Sequence, residues 1–78
     1  MPKIPVIKAK DFYKYIMKYN CKLIGITGSH HRVINTLNNQ VSVIAIHGGR
    51  DLAPPLLAKT LKDLDIDIND FLEFIKNN

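Results

Sequence analysis

The sequence predicts an α+β fold: a small three-stranded antiparallel sheet with helices on one face, in the order α-β-β-β-α. Three observations carry this. Apolar residues recur at helical spacing near both ends of the chain, in Phe12, Tyr15, Ile16 and Tyr19 and again in Leu57, Leu61 and Leu64. Between them lie three short β-branched runs, KLIGIT, HHRVINT and VSVIAI. The runs are joined by breaks too short for a crossover, so neighbouring strands must be antiparallel.

Taken in order, MPKIPVI over residues 1–7 contains Pro2 and Pro5 and reads as an extended lead-in. The first helix is expected over Ala9 to Tyr19, with Asn20 at its C-terminus. Lys10, Lys14 and Lys18 fall four apart and form a basic stripe away from the apolar face. Lys22–Thr27 is the first strand, Gly28-Ser29 a turn, His30–Thr36 the second strand, and Val41–Ile46 the third. His47-Gly48-Gly49-Arg50-Asp51 is a glycine-rich loop, and Pro54-Pro55 suits the first turn of a helix. Asn69 is expected to cap a final helix whose apolar positions are Phe71, Leu72 and Ile75. Both faces of the third strand are largely apolar. If the helices cover one face, Ile44 and Ile46 are expected on the other, either covered by the tails or the extra helix or left as a surface for a partner protein or a second copy of the chain.

The chain has 78 residues, 46% of them apolar and 23% charged, which fits one domain over residues 1–78 and excludes a large enclosed cofactor pocket. A single cysteine, Cys21, excludes a disulfide-stapled scaffold. The longest purely apolar run is VIAI at residues 43–46, far below the ~20 residues that span a bilayer. With no leader-like segment in residues 1–11, a cytoplasmic protein is expected, without a membrane partner.

Charge is unevenly placed. Residues 1–22 carry six lysines against Asp11 alone, whereas residues 51–78 carry three lysines against six acids. The net charge of +4 is therefore concentrated in the first half, which points to a polyanion such as RNA, although lysines also commonly do no more than solvate a helix face.

Three histidines are the candidate chemical groups. Alternation along a strand sends His30 and His31 to opposite faces, one towards solvent and one towards the core. His47 ends the third strand. In an antiparallel hairpin that end lies beside the start of the second strand, so one of the pair should approach His47, with Arg32 and Arg50 nearby. Imidazoles and guanidiniums together suit metal-free RNA cleavage, in which proton transfers accompany attack of a 2′-OH on phosphorus and cations hold the developing charge. One packed histidine with the other two on the surface is the plainer alternative. There is no HExxH, no CxxC and no P-loop, so neither a metal nor a cofactor is expected.

Gly28-Ser29-His30-His31-Arg32-Val33 resembles the Gly-Ser-His motif of the HicA, or YcfA-like, toxins. The order of elements and the segment VSVIAIHGGRDLAPPLLAKTLKDL extend the resemblance over residues 9–75. Three positions depart from the family pattern: Ile46 stands where a proline usually precedes the second histidine, Pro55-Leu56 where a small polar residue opens the helix, and Val33 where an aromatic is common. The resemblance implies a fold like the double-stranded-RNA-binding domain. It implies an mRNA-cleaving toxin of a type II pair, a stress-response device that works without a metal and is silenced by a HicB-like antitoxin. His30 falls on the family's catalytic histidine, with His31 as the reserve candidate, and Gly28 and Ser29 set the approach to the second strand. Lys10, Lys14, Lys18, Arg32, Arg50 and His47 would contact RNA. A non-catalytic RNA-binding module using the same basic stripe is the alternative function.

Overall fold

The computed structural model describes residues 4–77. The elements are β1 (Ile7–Lys8), α1 (Ala9–Lys18), β2 (Cys21–Thr27), β3 (His30–Asn35), β4 (Val41–Ala45), β5 (Asp51–Leu52), α2 (Pro54–Asp63) and α3 (Ile68–Lys76). Strands β2, β3 and β4 form an antiparallel sheet in chain order, and α1 and α2 pack on one side of it. This is the expected α+β arrangement. The part of the lead-in at residues 1–3 lies outside the described residues.

One pairing was not expected. Strand β1 joins β5 as a two-stranded ribbon, Ile7 opposite Leu52 and Lys8 opposite Asp51. It ties the chain entering α1 to the chain leaving the glycine loop. The Ala9 amide then donates to the Arg50 carbonyl at 3.1 Å, satisfying one of the donors that a helix N-terminus leaves open. Lys8 at the N-cap supplies no side-chain bond, so this backbone contact replaces the usual cap.

The hairpin between β2 and β3 turns in two residues. Gly28 takes φ +60°, the left-handed conformation that such a short connection requires at its first position. Helix α1 ends as Asn20 takes φ 67°, a conformation asparagine tolerates better than most residues. Helix α2 opens on Pro54 and Pro55, where a missing N–H costs little. Helix α3 is capped by Asp67, not by Asn69. The Asp67 carboxylate accepts from the amides of Asn69 and Asp70 at 2.8 and 3.1 Å, and a charged cap gains from the helix dipole.

The core lies between the sheet and the helices. Phe12 and Ile16 of α1, Val33 and Ile44 of the sheet, Leu57 and Leu61 of α2, Leu64, and Phe71 of α3 are fully or nearly fully buried. Phe12 and Phe71 meet edge to face with ring centroids 5.3 Å apart, which draws α3 into the same core.

The orientation of β4 corrects the sequence reading. Ile44 is 1% exposed, and Ile46 packs against the core. Val41 and Val43, 45% and 48% exposed, lie on the open face instead. The register decides this: Ser42 pairs with buried Val33 and Ile44 with His31, so the even-numbered residues of β4 share the helix-covered side. The open face of β4 is apolar, but its residues are Val41 and Val43, not Ile44 and Ile46.

Candidate active site

Register places the histidines. His30, the first residue of β3, is exposed and opposite Ala45. Cross-strand partners lie roughly 5 Å apart at Cα, and His47 follows Ala45 by two residues, at most ~7 Å further along. Both imidazoles line one cleft of about 450 Å³ at this end of the sheet. Arg50 and Asp51 border it from the loop, Ala9 from the start of α1, and Thr60 from α2.

A tight turn brings His47 and Arg50 together. The Arg50 amide donates to the His47 carbonyl at 3.2 Å, and Gly48 inside the turn takes φ +59°. A Cβ built on Gly48 would meet no atom within 4 Å, so backbone conformation, not space, calls for glycine. The Arg50 carbonyl receives the Ala9 amide, so this turn is fixed to the start of α1, and His47 and Arg50 both line the cleft. Among the described residues, the side chains of His30, His47 and Arg50 make no hydrogen bond or ion pair within the protein.

His31 occupies a different setting. It is half-buried on the helix-covered side, with its ring edge against Tyr13 at 5.3 Å between centroids. Its Nδ1 lies 3.1 Å from the Ser29 carbonyl, an oxygen that can only accept, so the proton sits on Nδ1. The same carbonyl accepts the Ile46 amide at 2.8 Å. Ser29 thus acts through its backbone, locking the hairpin turn to the end of β4. The pair of histidines divides as alternation requires, His30 into the cleft and His31 into the packing.

Arg32 sits opposite Val43, on the open face of the sheet and outside the residues that line the cleft. Lys10, Lys14 and Lys18 are exposed along α1. The stripe starts one residue after Ala9, a cleft residue, and runs about 12 Å along the helix axis. The sequence missed Asp51 as a cleft residue. Its only signal was adjacency to Arg50, and the β1–β5 pairing that positions it joins segments more than forty residues apart.

A larger cleft, about 660 Å³, lies between residues 5–8, α1 and α3. No histidine lines it, and its charged residues are Lys8, Asp11, Asp51 and Lys76. The titratable groups with displaced pKa values also lie away from the histidine cleft. Burial pushes the Cys21 thiol up to about 11, which makes it an unreactive core residue. Burial, helped by Asp70, Asp67 and Cys21, raises Tyr19. A hydrogen bond from Lys59 holds Asp63 below the usual carboxylate range. Among the described residues, no three of His, Cys, Asp or Glu come close enough together to hold a metal ion, and no helix is long and apolar enough to cross a membrane.

The family model described as the HicA toxin of bacterial toxin–antitoxin systems matches residues 9–66. The chain belongs to the HicA toxin family. The match takes in α1, the whole three-stranded sheet, the histidine cleft and α2, and leaves β1 and α3 outside. No curated protein and no solved structure matches the chain. Membership assigns the molecule a toxin role and, with it, an antitoxin as counterpart.

Proposed function

We propose that this HicA toxin is an endoribonuclease that cleaves mRNA without a metal ion, with His30 as a general acid or base. The observation that carries this reading is the placing of His30, His47 and Arg50 around one open cleft, with no partner for their side chains among the described residues. A phosphodiester in that cleft meets a proton-transfer group and a fixed positive charge at the same point, the minimum that 2′-OH attack on phosphorus needs. Lys10, Lys14 and Lys18 continue the positive path along α1 and hold neighbouring phosphates. Arg32 contributes from the central strand, on the open sheet face. His31 serves the fold and not the reaction.

The counterpart is an acidic, HicB-like antitoxin. It covers the cleft and uses charge complementarity with the basic helix to find it. Its apolar contacts are with Val41 and Val43 on the open face.

The test is incubation of the purified chain with single-stranded RNA in EDTA. Fragments from the wild type and none from a folded His30→Ala variant are expected. Cleavage at the wild-type rate by His30→Ala would end the assignment. Binding without cleavage by the wild type would leave an RNA-binding module.

A further inference from the structure

The cleft holds two imidazoles, and the proposed chemistry uses one of them. We infer that His47 is the second proton-transfer group, so that His30 and His47 act as an acid–base pair on opposite sides of the scissile phosphate. This rests on the RNA-cleavage reading above and extends it to the identity of the partner group and the products.

Backbone pairing sets where the two histidines stand. His30 is fixed by its pairing with Ala45, and the end of β4 is fixed by the Ile46 amide on the Ser29 carbonyl at 2.8 Å. His47 follows directly, held by the turn in which the Arg50 amide meets its carbonyl. The two imidazoles therefore approach the same space from two strand ends, with Arg50 leaving the turn beside them. Among the described residues neither ring is spent on an internal hydrogen bond, whereas His31, which is not in the cleft, is.

The step balances with two imidazoles and no other reactant. One neutral imidazole takes the proton from the 2′-OH as the 2′-oxygen forms a bond to phosphorus. The bond from phosphorus to the 5′-oxygen breaks, and the protonated imidazole gives that oxygen its proton. Arg50 faces the extra negative charge on the non-bridging oxygens during the transfer. The products are a 2′,3′-cyclic phosphate and a 5′-hydroxyl, and the two rings have exchanged protonation states. Because the reactive form has one ring neutral and one charged, the rate must rise and then fall with pH. The charged groups facing the pair are Arg50 and Asp51. Helix α1 presents Ala9, and α2 presents Leu56 and Thr60, none of which titrates.

The experiment compares the wild type, His30→Gln and His47→Gln on two substrates. One is a short single-stranded RNA, and the other is uridine 3′-(4-nitrophenyl phosphate), whose leaving group departs without a proton. On RNA, His47→Gln should lose ~10²–10⁴ in kcat with KM little changed, and one limb of the pH–rate profile should vanish. On the activated ester, one of the two variants should recover most of the wild-type rate and the other should not, which identifies the acid and the base. A raised KM with both limbs of the profile intact would make His47 a phosphate contact and overturn the inference. So would wild-type kinetics of His47→Gln, with the role of His30 untouched. A wild type that cleaves neither substrate would remove the underlying ribonuclease reading as well.

Discussion

The two ends of the sheet are built on opposite principles. At the end formed by the β3–β4 loop, the side chains of Asn35, Thr36 and Asn38 are spent on the fold. The Asn35 side chain, 3% exposed, donates to the Leu64 carbonyl at 2.9 Å and accepts from the Leu37 amide at 3.0 Å. Asn38 donates to the same Leu64 carbonyl at 3.1 Å, so two amides satisfy an acceptor that the end of α2 leaves open. Thr36 donates twice to the Asn20 carbonyl, from its amide and its hydroxyl. At the opposite end, a frame of backbone bonds presents His30, His47 and Arg50, whose side chains have no partner among the described residues. The same chain thus closes one end to gain stability and leaves the other polar, open and available.

That division is breakable by paired substitutions. His30→Ala is expected to reduce RNA cleavage by ~10²–10⁴, about 3–5 kcal/mol of transition-state stabilisation. Its unfolding free energy should stay within about 0.5 kcal/mol of the wild type, since an exposed strand end contributes little packing. Asn35→Ala should do the reverse. It leaves the Leu37 amide short of an acceptor and weakens the cap on Leu64, at a cost of about 2–3 kcal/mol and a fall in Tm of roughly 10 °C. The folded fraction should cleave RNA at the normal rate. Denaturant melts with matched activity assays measure both, and a large stability loss in His30→Ala would erase the contrast.

The packed end also carries an alkaline signature. Cys21 pairs with Asn35 across the sheet, and burial raises its thiol to about 11 from 9.0. The unfolded chain therefore ionises first as pH climbs. The stabilisation is complete below pH 9 and is lost between pH 9 and 11, by an amount on the order of 2 kcal/mol. In Cys21→Ala this part of the alkaline decline in melts should disappear. At neutral pH the native thiol should ignore a thiol reagent until the protein is unfolded.

The smallest effect belongs to the basic helix that runs from the open end to the closed one. Replacing Lys10, Lys14 and Lys18 together by Gln should weaken RNA binding across sequences and lower the log–log salt slope by roughly 2, at ~0.7 per phosphate contact. Melting should be unaffected because all three are exposed. An unchanged slope would confine RNA recognition to the cleft itself.

The main elements were legible because each has a local cause. Gly28-Ser29 announces the hairpin, Pro54-Pro55 the start of α2, and the helical spacing of Phe12 and Ile16 the buried face of α1. What was not legible depends on partners distant in sequence. β4 is apolar on both faces, so nothing within it says which face the helices cover. Only its pairing with Val33, whose side is buried, turns Ile44 inward and Val43 outward. β1 and β5 are two residues each, too short for any alternation to register. The N-cap of α3 was missed by two residues because Asp67 and Asn69 are about equally good caps by type. The candidate site divides the same way. Strand parity separates His30 from His31, but the return of Arg50 and Asp51 to the cleft depends on the contact with Ala9.

The irregularity in β2 has a consequence for solubility. Among the described residues this strand pairs only with β3 and is an edge of the sheet, and Leu23, Ile24 and Ile26 are exposed along it with Lys22 as its one charge. A straight seven-residue edge of that composition would template strand-to-strand aggregation. Between Leu23 and Gly25 the register shifts, so the edge amides and carbonyls are no longer evenly spaced, and the strand twists away from a flat approach. A second molecule sliding along this edge meets a break in the ladder within three residues of either end. The bulge lets the protein keep an apolar edge while denying it the continuous hydrogen bonding on which fibres grow.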